Sequence, residues 1–132
     1  MTFRSKIEMV QEFHDVFRLD YNVTPTAEVD DRIITLRHRL MQEENDEYLE
    51  ACQQKDLTLI ADALGDKLYI LLGTIIAHGL QDKIEEVFAE IHRSNMSKLD
   101  DNGQPIYRED GKIMKSSNYF LPDIRSILEN SL

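Results

Sequence analysis

The 132-residue sequence lacks the features that several common protein classes require. It has one cysteine, Cys52, which excludes an internal disulfide and fits a reducing compartment. Its 15 basic residues face 25 acidic ones, for a net charge of −10, so no basic stripe is available for a nucleic-acid backbone. The longest apolar run, residues 68–77, is too short to cross a bilayer, and the amino terminus lacks a signal-peptide pattern. We therefore expect a cytoplasmic protein with neither a nucleic-acid polymer nor a membrane as partner.

The sequence also lacks the histidine spacing of a carboxylate-bridged di-iron bundle. That class requires Glu-x-x-His pairs on its helices. No histidine here has a glutamate three residues before it. The residues three positions before His14, His38, His78 and His92 are Gln11, Thr35, Ile75 and Ala89. This absence argues against redox iron.

Apolar periodicity predicts an all-α fold, a four- to five-helix bundle with a small C-terminal β-hairpin, in one domain spanning residues 1–132. The helices are expected at about residues 4–19, from Pro25 or Thr26 to about Cys52, at 57–78, at 82–96 and at 122–130, with Gly79 as a C-cap and Pro122 in the last helix's first turn. Asp110-Gly111 between short apolar segments indicates the hairpin.

Two acidic clusters lie on consecutive predicted helices. The segment EENDE contains Glu43, Glu44 and Glu47, and the next helix contains Asp62 and Asp66. Residues three or four apart share a helix face, so each cluster can converge on one point. A short polar connection, residues 53–56, favours an antiparallel pair in which the two clusters meet.

Acidic pairs at helical spacing can arise by chance on solvated faces in a chain this acidic. The second pair is less easily explained that way, because it lies within LTLIADALGDKLYILLGTIIA, the most apolar stretch of the chain. A charge facing the core there needs a partner. Crowded carboxylates repel one another, and a hard divalent ion such as Mg²⁺, with Mn²⁺ or Ca²⁺ as other candidates, relieves that repulsion.

EENDE on one helix and DALGDKLYILLGT on the next resemble the all-α nucleoside triphosphate pyrophosphohydrolases, a group that includes MazG-like and phosphoribosyl-ATP pyrophosphohydrolase-like proteins. The family pattern is Glu-Glu-x-x-Glu followed by Glu-x-x-Asp. The first half is matched in full and Asp66 fits the last position, but Ala63 stands where a Glu is expected, with Asp62 one residue earlier. The segments HRSNMSK and KSSNYFLPDI extend the resemblance over roughly residues 7–128.

The resemblance implies a Mg²⁺-dependent enzyme that cleaves a nucleoside triphosphate between the α and β phosphates. It also implies a helical core and a homodimer or homotetramer in which neighbouring subunits complete the active site. House-cleaning of non-standard or surplus deoxynucleotides such as dUTP is the expected role, and phosphoribosyl-ATP is a less expected substrate.

Cleaving a triphosphate requires neutralised oxygens and a positioned water. We assign one or two Mg²⁺ to Glu43, Glu44, Glu47, Asp62 and Asp66, with Mn²⁺ as a possible replacement. Glu44 and Glu47 are the candidate catalytic residues, Glu44 being the first choice for the base that takes a proton from water. Sequence alone does not separate ligand from base in this cluster.

Positive and hydrogen-bonding groups must meet the phosphates from the other side. His92, Asn95 and Lys98 have the spacing of one helix face, although Lys98 could simply complement a helix C-terminus. Lys115, Asn118 and Tyr119 could close over a nucleotide, or could pack the tail on the bundle. A different hypothesis is a non-enzymatic helical dimerisation or regulatory module, whose acidic cluster is surface charge or a structural cation site.

Overall fold

The computed structural model describes residues 1–130, and this part of the chain is all-helical, as the periodicity predicts. Its five helices are α1 (Phe3–Val16), α2 (Asp31–Gln53), α3 (Leu57–Ala77), α4 (Ile84–Met96) and α5 (Ile124–Glu129). The chain divides into two compact units, Met1–Gln81 with α1 to α3 and Asp82–Leu132 with α4 and α5. A single domain stays a prediction. Within residues 1–130, no helix is long and apolar enough to cross a membrane.

In the first unit, α3 packs against both α1 and α2. This central position follows from its sequence, which is apolar nearly all round. The largest fully buried side chains among residues 1–130 are Ile7 and Val10 of α1 and Ile76 of α3. The core of this unit therefore lies along α3.

Side-chain oxygens define where several of these helices begin. The carboxylate of Asp30 accepts from the backbone N–H of Arg32 at the start of α2, and that of Asp56 accepts from Leu59 at the start of α3. Asp123 is the corresponding cap of α5, so Pro122 precedes the cap and the prediction that it lies in the first turn is wrong.

The second helix starts later than the sequence predicts. A start at Pro25 or Thr26 was expected, but α2 begins at Asp31. Residues 22–26 contact the end of α3 instead: the backbone N–H of Asn22 donates to Ile76 O at 3.1 Å, and that of Thr26 donates to His78 O at 2.9 Å. Carbonyls at a helix C-terminus lack partners within the helix and need such donors. Because these backbone N–H groups bind the end of α3, this part of the chain does not join α2.

Gly79 caps α3 as predicted. Its φ is +68°, a conformation that L side chains rarely adopt, and a Cβ at this position would collide with the backbone oxygen of Thr24. The backbone N–H of Gly79 donates to Ile76 O at 3.0 Å. The turn therefore depends on glycine both for its conformation and for its space.

The predicted C-terminal β-hairpin does not form as a pair of strands in the described part of the chain. The Asp110-Gly111 turn is present, since Gly111 has φ +86° and its N–H donates to Arg108 O, but only one antiparallel bridge follows, between Tyr107 and Ile113. Both bridge residues are exposed, at 64% and 53%. A two-stranded hairpin with no apolar layer to cover is marginal, which explains why the pairing stops.

Candidate active site between α2 and α3

The acidic clusters lie on α2 and α3, which form an antiparallel pair joined by residues 54–56. A contact between the two helices shows their register at this level: Lys67 Nζ donates to Asn45 Oδ1 at 2.8 Å. Residues near 44 on α2 are therefore opposite residues near 66 on α3. This is the pairing that the two clusters need in order to meet.

Glu44 is the centre of the acidic site. Its half-buried position raises the pKa of its carboxyl from 4.5 to about 7, and its interaction with the Glu47 carboxyl adds to the effect. The negative charges of Glu47, Asp66 and Asp62 raise this pKa further. The Oε2 atom of Glu44 is buried and has no hydrogen-bond partner within the described residues. We call these four residues, Glu44, Glu47, Asp62 and Asp66, the acidic level of the α2–α3 pair.

Four of the five carboxylates that the sequence singles out interact electrostatically, with Glu44 as the common member. Glu43, the fifth, is exposed, and its Oε1 lies 4.0 Å from Arg39 Nε on the outer side of α2. It does not contribute to the raised pKa of Glu44. Spacing alone could not distinguish these two neighbouring glutamates, because both lie within four residues of Glu47.

A cavity of about 220 Å³ adjoins the acidic level on the side of the helix connection. Glu47 and Asp62 line it, together with Ala51, Ala63 and Gln54. Ala63 is 2% exposed, so this position faces the interior of the pair. Where the family pattern has a glutamate, this chain has a methyl group beside open space.

As the side chains stand, no three His, Cys, Asp or Glu residues within positions 1–130 converge closely enough to hold a metal ion. The acidic level is a concentration of negative charge around Glu44, with its members spread over two helices. The metal-ligand roles of the five carboxylates therefore stay predictions.

Two helical turns from the acidic level, a positive charge lies between the same two helices. Arg37 of α2 donates through Nε to Thr74 Oγ1 at 3.0 Å and through Nη2 to Ile70 O at 2.6 Å. Gly73 lies beneath the guanidinium, and His14 of α1 lies beside it. We call Arg37, Thr74, Gly73 and His14 the arginine level.

Burial lowers the pKa of both basic groups at the arginine level. For His14, which is 4% exposed, burial is the largest cause and the charge of Arg37 the next; the backbone of Asp20 and the charge of Asp15 act in the opposite direction. For Arg37 the cause is burial alone. The His14 Nδ1 atom has no hydrogen-bond partner within the described chain.

Sequence analysis missed Arg37, although a signal was present. Arg37 occupies an inward position on α2, four residues after Ile33 and three before Leu40, where the periodic pattern calls for an apolar side chain. A charged residue at such a position needs a polar partner. Thr74 is the partner, and it lies within the apolar stretch of α3.

In the second unit, the three candidates from the fourth helix have different surroundings. His92 and Asn95 of α4 are exposed, whereas Lys98, just after the helix, is half-buried. The buried polar residue of this helix is Ser94, whose hydroxyl donates to Phe120 O at 2.7 Å. Their substrate-binding roles stay predictions.

The three candidates from the tail are tied to local partners. Asn118 Nδ2 donates to Asp101 Oδ1 at 2.8 Å, and the ammonium group of Lys115 lies 4.6 Å from the ring centroid of Tyr119. These contacts fit the packing role that the sequence left open, and they leave the nucleotide-binding role as a prediction.

The chain is similar to a known protein family. The family model described as phosphoribosyl-ATP pyrophosphohydrolase matches residues 10–95, which cover all of α2, α3 and the acidic level. No curated protein is similar enough to match. The family supports a pyrophosphohydrolase of the MazG-like type, a hydrolase acting on acid anhydrides. The chain belongs to the phosphoribosyl-ATP pyrophosphohydrolase family, within the MazG-like all-α nucleoside triphosphate pyrophosphohydrolase superfamily.

Proposed function

We propose that the protein is a Mg²⁺-dependent nucleoside triphosphate pyrophosphohydrolase that converts a (d)NTP to a (d)NMP and pyrophosphate. Its expected role is house-cleaning of the nucleotide pool. The observation that carries this proposal is the half-buried Glu44, which faces the charges of Glu47, Asp62 and Asp66 across two helices. So much like charge at one level is unfavourable for folding, and its retention is explained by a cation that belongs there.

The donor set at the acidic level fits a hard divalent cation. Carboxylate oxygens are the ligands that Mg²⁺ prefers, and Glu44 Oε2 is a buried acceptor that lacks a donor within the described residues. We assign the cation to Glu44, Glu47, Asp62 and Asp66, with Glu43 as a fifth candidate and Mn²⁺ as an alternative ion. When bound, such an ion neutralises phosphate oxygens and polarises a bound water.

Glu44 is the proposed general base, and Glu47 is the alternative. The role requires a carboxylate oxygen directed into the site and not already occupied by a donor, and Glu44 Oε2 meets that condition within the described part of the chain. A carboxylate has two oxygens, so one oxygen of Glu44 can bind the cation while the other accepts the proton. The base accepts a proton from the water that attacks the α phosphorus.

Side chains outside the acidic level are also proposed to contact the nucleotide, as the sequence predicts. We propose His92, Asn95 and Lys98 as phosphate contacts, and Lys115, Asn118 and Tyr119 as residues that contact the nucleotide. A homodimer or homotetramer is also proposed. Large apolar side chains that are exposed in the described chain support it, among them Leu49 at 57% and Leu64 at 49%.

The experiment is a panel of ribo- and deoxynucleoside triphosphates, including dUTP and phosphoribosyl-ATP, incubated with purified protein and Mg²⁺ or with excess chelator. Monophosphate and pyrophosphate are quantified by ion-exchange chromatography. We expect pyrophosphate release from at least one triphosphate with Mg²⁺ and none with chelator. Glu47→Gln should abolish release while circular dichroism stays native.

The matched control is Glu12→Gln, an exposed glutamate of α1 in the same unit, which should leave hydrolysis unchanged. Equal pyrophosphate release by wild type and Glu47→Gln would contradict the proposal. So would failure on every triphosphate, which would favour the regulatory or dimerisation module.

A further inference from the structure

The α2–α3 pair carries strong like charge at the acidic level and a cation two turns away. Arg37 precedes Glu44 by seven residues on α2, and Gly73 follows Asp66 by seven residues on α3. Seven residues correspond to about 10 Å along a helix, so the two levels are equally spaced on both helices. Any slip of α2 against α3 at the arginine level is therefore transmitted to the acidic level.

The guanidinium group of Arg37 makes a contact that only a matching register allows. Its Nε and Nη2 atoms reach two acceptors one turn apart on α3, the Thr74 hydroxyl and the Ile70 carbonyl. The Thr74 hydroxyl in turn donates to Ile70 O at 2.9 Å, which closes the arrangement. A planar guanidinium has the fixed geometry that such a two-point contact requires.

Gly73 provides the space for this contact. A Cβ at position 73 would collide with Arg37 Nη2 and would lie 3.1 Å from His14 Nε2 and 3.2 Å from Arg37 Cζ. Glycine in a helix interior is less stable than alanine, so its presence in α3 needs a reason. The close approach of the guanidinium supplies one.

The placement of Arg37 is not explained by charge pairing. No carboxylate within the described chain forms a salt bridge with it, whereas Arg39, two residues later, reaches Glu43 on the outer side of α2. A half-buried cation without a counterion is unfavourable, as the burial-lowered pKa of Arg37 indicates. The two hydrogen bonds to α3 offset the cost of burying this charge.

We propose that Arg37, seated over Gly73, is a positioning residue for the cation site: its contact with Thr74 and Ile70 fixes the register that places Glu44 opposite Asp66. The inference rests on the proposed function, because it concerns the geometry of that cation site. In this role Arg37 acts through the register of the two helices and needs no contact with the cation or the substrate.

The test is a double-mutant cycle on the full-length protein, read out by Mn²⁺ affinity in isothermal calorimetry and by the melting temperature without metal. The variants are Arg37→Lys, Arg37→Met, Gly73→Ala and the combination of the last two. Arg32→Gln is the matched control, because Arg32 lies on the same helix with a 94% exposed side chain. It should bind Mn²⁺ as wild type does.

We expect Arg37→Lys to weaken Mn²⁺ binding at least tenfold while the protein stays folded, because one ammonium group cannot reproduce the two-point contact. Gly73→Ala should weaken binding by a similar factor, since its methyl group displaces the guanidinium. In the Arg37→Met background the added Gly73→Ala change should have little further effect. That non-additivity is the signature of a shared role.

Two results would overturn the inference. One is unchanged Mn²⁺ affinity in folded Arg37→Lys and Gly73→Ala, even with a lower melting temperature, which would make the contact merely structural. The other is full additivity of the two losses. If wild type itself binds no Mn²⁺, the proposed cation site is wrong and the inference fails with it. If wild type and the variants bind Mn²⁺ equally well, only the inference is wrong.

Discussion

The acidic level lies on α2 and α3, and the arginine level lies on the same two helices together with His14 of α1. The acidic level concentrates negative charge, whereas the arginine level contains a half-buried positive charge. At the acidic level, half-burial and three neighbouring negative charges raise the pKa of Glu44 to about 7. At the arginine level, burial and a neighbouring positive charge lower the pKa of His14. Each level disfavours the charged form of its central group, one an anion and the other a cation.

The difference between the levels is in how each charge is satisfied. The guanidinium of Arg37 donates to two acceptors of α3, so the charged group of the arginine level has hydrogen-bond partners in the fold. Glu44 Oε2 has no donor in the described chain and faces further carboxylates, so the acidic level is incomplete. The acidic level therefore has room for a ligand, and the arginine level supplies a structural contact between the two helices that carry it.

The largest expected effect is on hydrolysis at the acidic level. Glu44→Gln keeps the size of the side chain and removes its charge, so we expect the rate of pyrophosphate release to fall at least about a hundredfold. The variant should also melt at a higher temperature than wild type without metal, because it relieves repulsion from three carboxylates. Full activity in Glu44→Gln would contradict a catalytic or metal-binding role for this carboxyl.

The second effect is the pH dependence of stability in chelator. Because the folded pKa of Glu44 is raised from 4.5 to about 7, the folded state binds more protons than the unfolded state between these values. Stability from this group is present below pH 4.5 and is lost as the pH rises through 7. We expect the wild-type melting temperature to drop by about 5 °C more than that of Glu44→Gln over this range, a modest figure for a half-buried group.

Millimolar Mg²⁺ should reverse this loss for wild type above pH 7, because a bound cation favours the ionised carboxyls. Identical pH profiles for wild type and Glu44→Gln in chelator would show that the carboxyl is not crowded in solution.

The arginine level predicts a smaller dependence of the opposite sign. The pKa of His14 is lowered from 6.5, so its contribution to stability is present above pH 6.5 and is lost as the pH falls below that value. The groups around it are Arg37 of α2 and, on its own side, Asp15 and Asp20. When the pH is lowered from 7 to 5, we expect the melting temperature of His14→Gln to fall by about 3 °C less than that of wild type.

His38→Gln is the matched control, since His38 is an exposed histidine of α2. It should follow the wild-type profile. If the melting temperature of His14→Gln also depends on pH as that of wild type does, protonation of His14 does not affect stability.

The smallest expected effect separates the two neighbouring glutamates of EENDE. Because Glu43 is exposed and lies near Arg39, Glu43→Gln should reduce hydrolysis by about threefold at most, far less than Glu44→Gln. Steady-state rates of the two variants, measured side by side, decide the matter. Equal losses in both would restore Glu43 as a full ligand.

Much of the first unit could be predicted from the sequence, because its signals are local. The start of α3 follows from Asp56 as a cap, and its end follows from Gly79, which is the residue that best tolerates φ +68°. The start of α2 could not be predicted, because residues 22–26 are held by the C-terminal carbonyls of α3, which are more than fifty residues away. Such a tertiary demand overrides a suitable Pro-Thr helix entry.

The candidate site was predictable to the level of the helix pair. Helical spacing identifies the two acidic clusters, but the rotation of each side chain decides that Glu44 faces α3 while Glu43 faces Arg39. The sequence did not predict the roles of Arg37 and Gly73, because these depend on the two residues being in contact. The arginine of α2 occupies the space that a Cβ at position 73 of α3 would fill. Each residue alone is only a weak signal: Arg37 lies at an inward position of α2, and Gly73 lies in the interior of α3.

The central claim is that Glu44, Glu47, Asp62 and Asp66 hold one or more divalent cations between α2 and α3. The most direct test is anomalous diffraction from crystals of the full-length protein grown with Mn²⁺. We predict an anomalous peak within coordination distance of oxygens from both helices, Glu44 on one and Asp66 on the other. Ordered carboxylates at this level with no such peak, or with the only peaks elsewhere on the surface, would contradict the account.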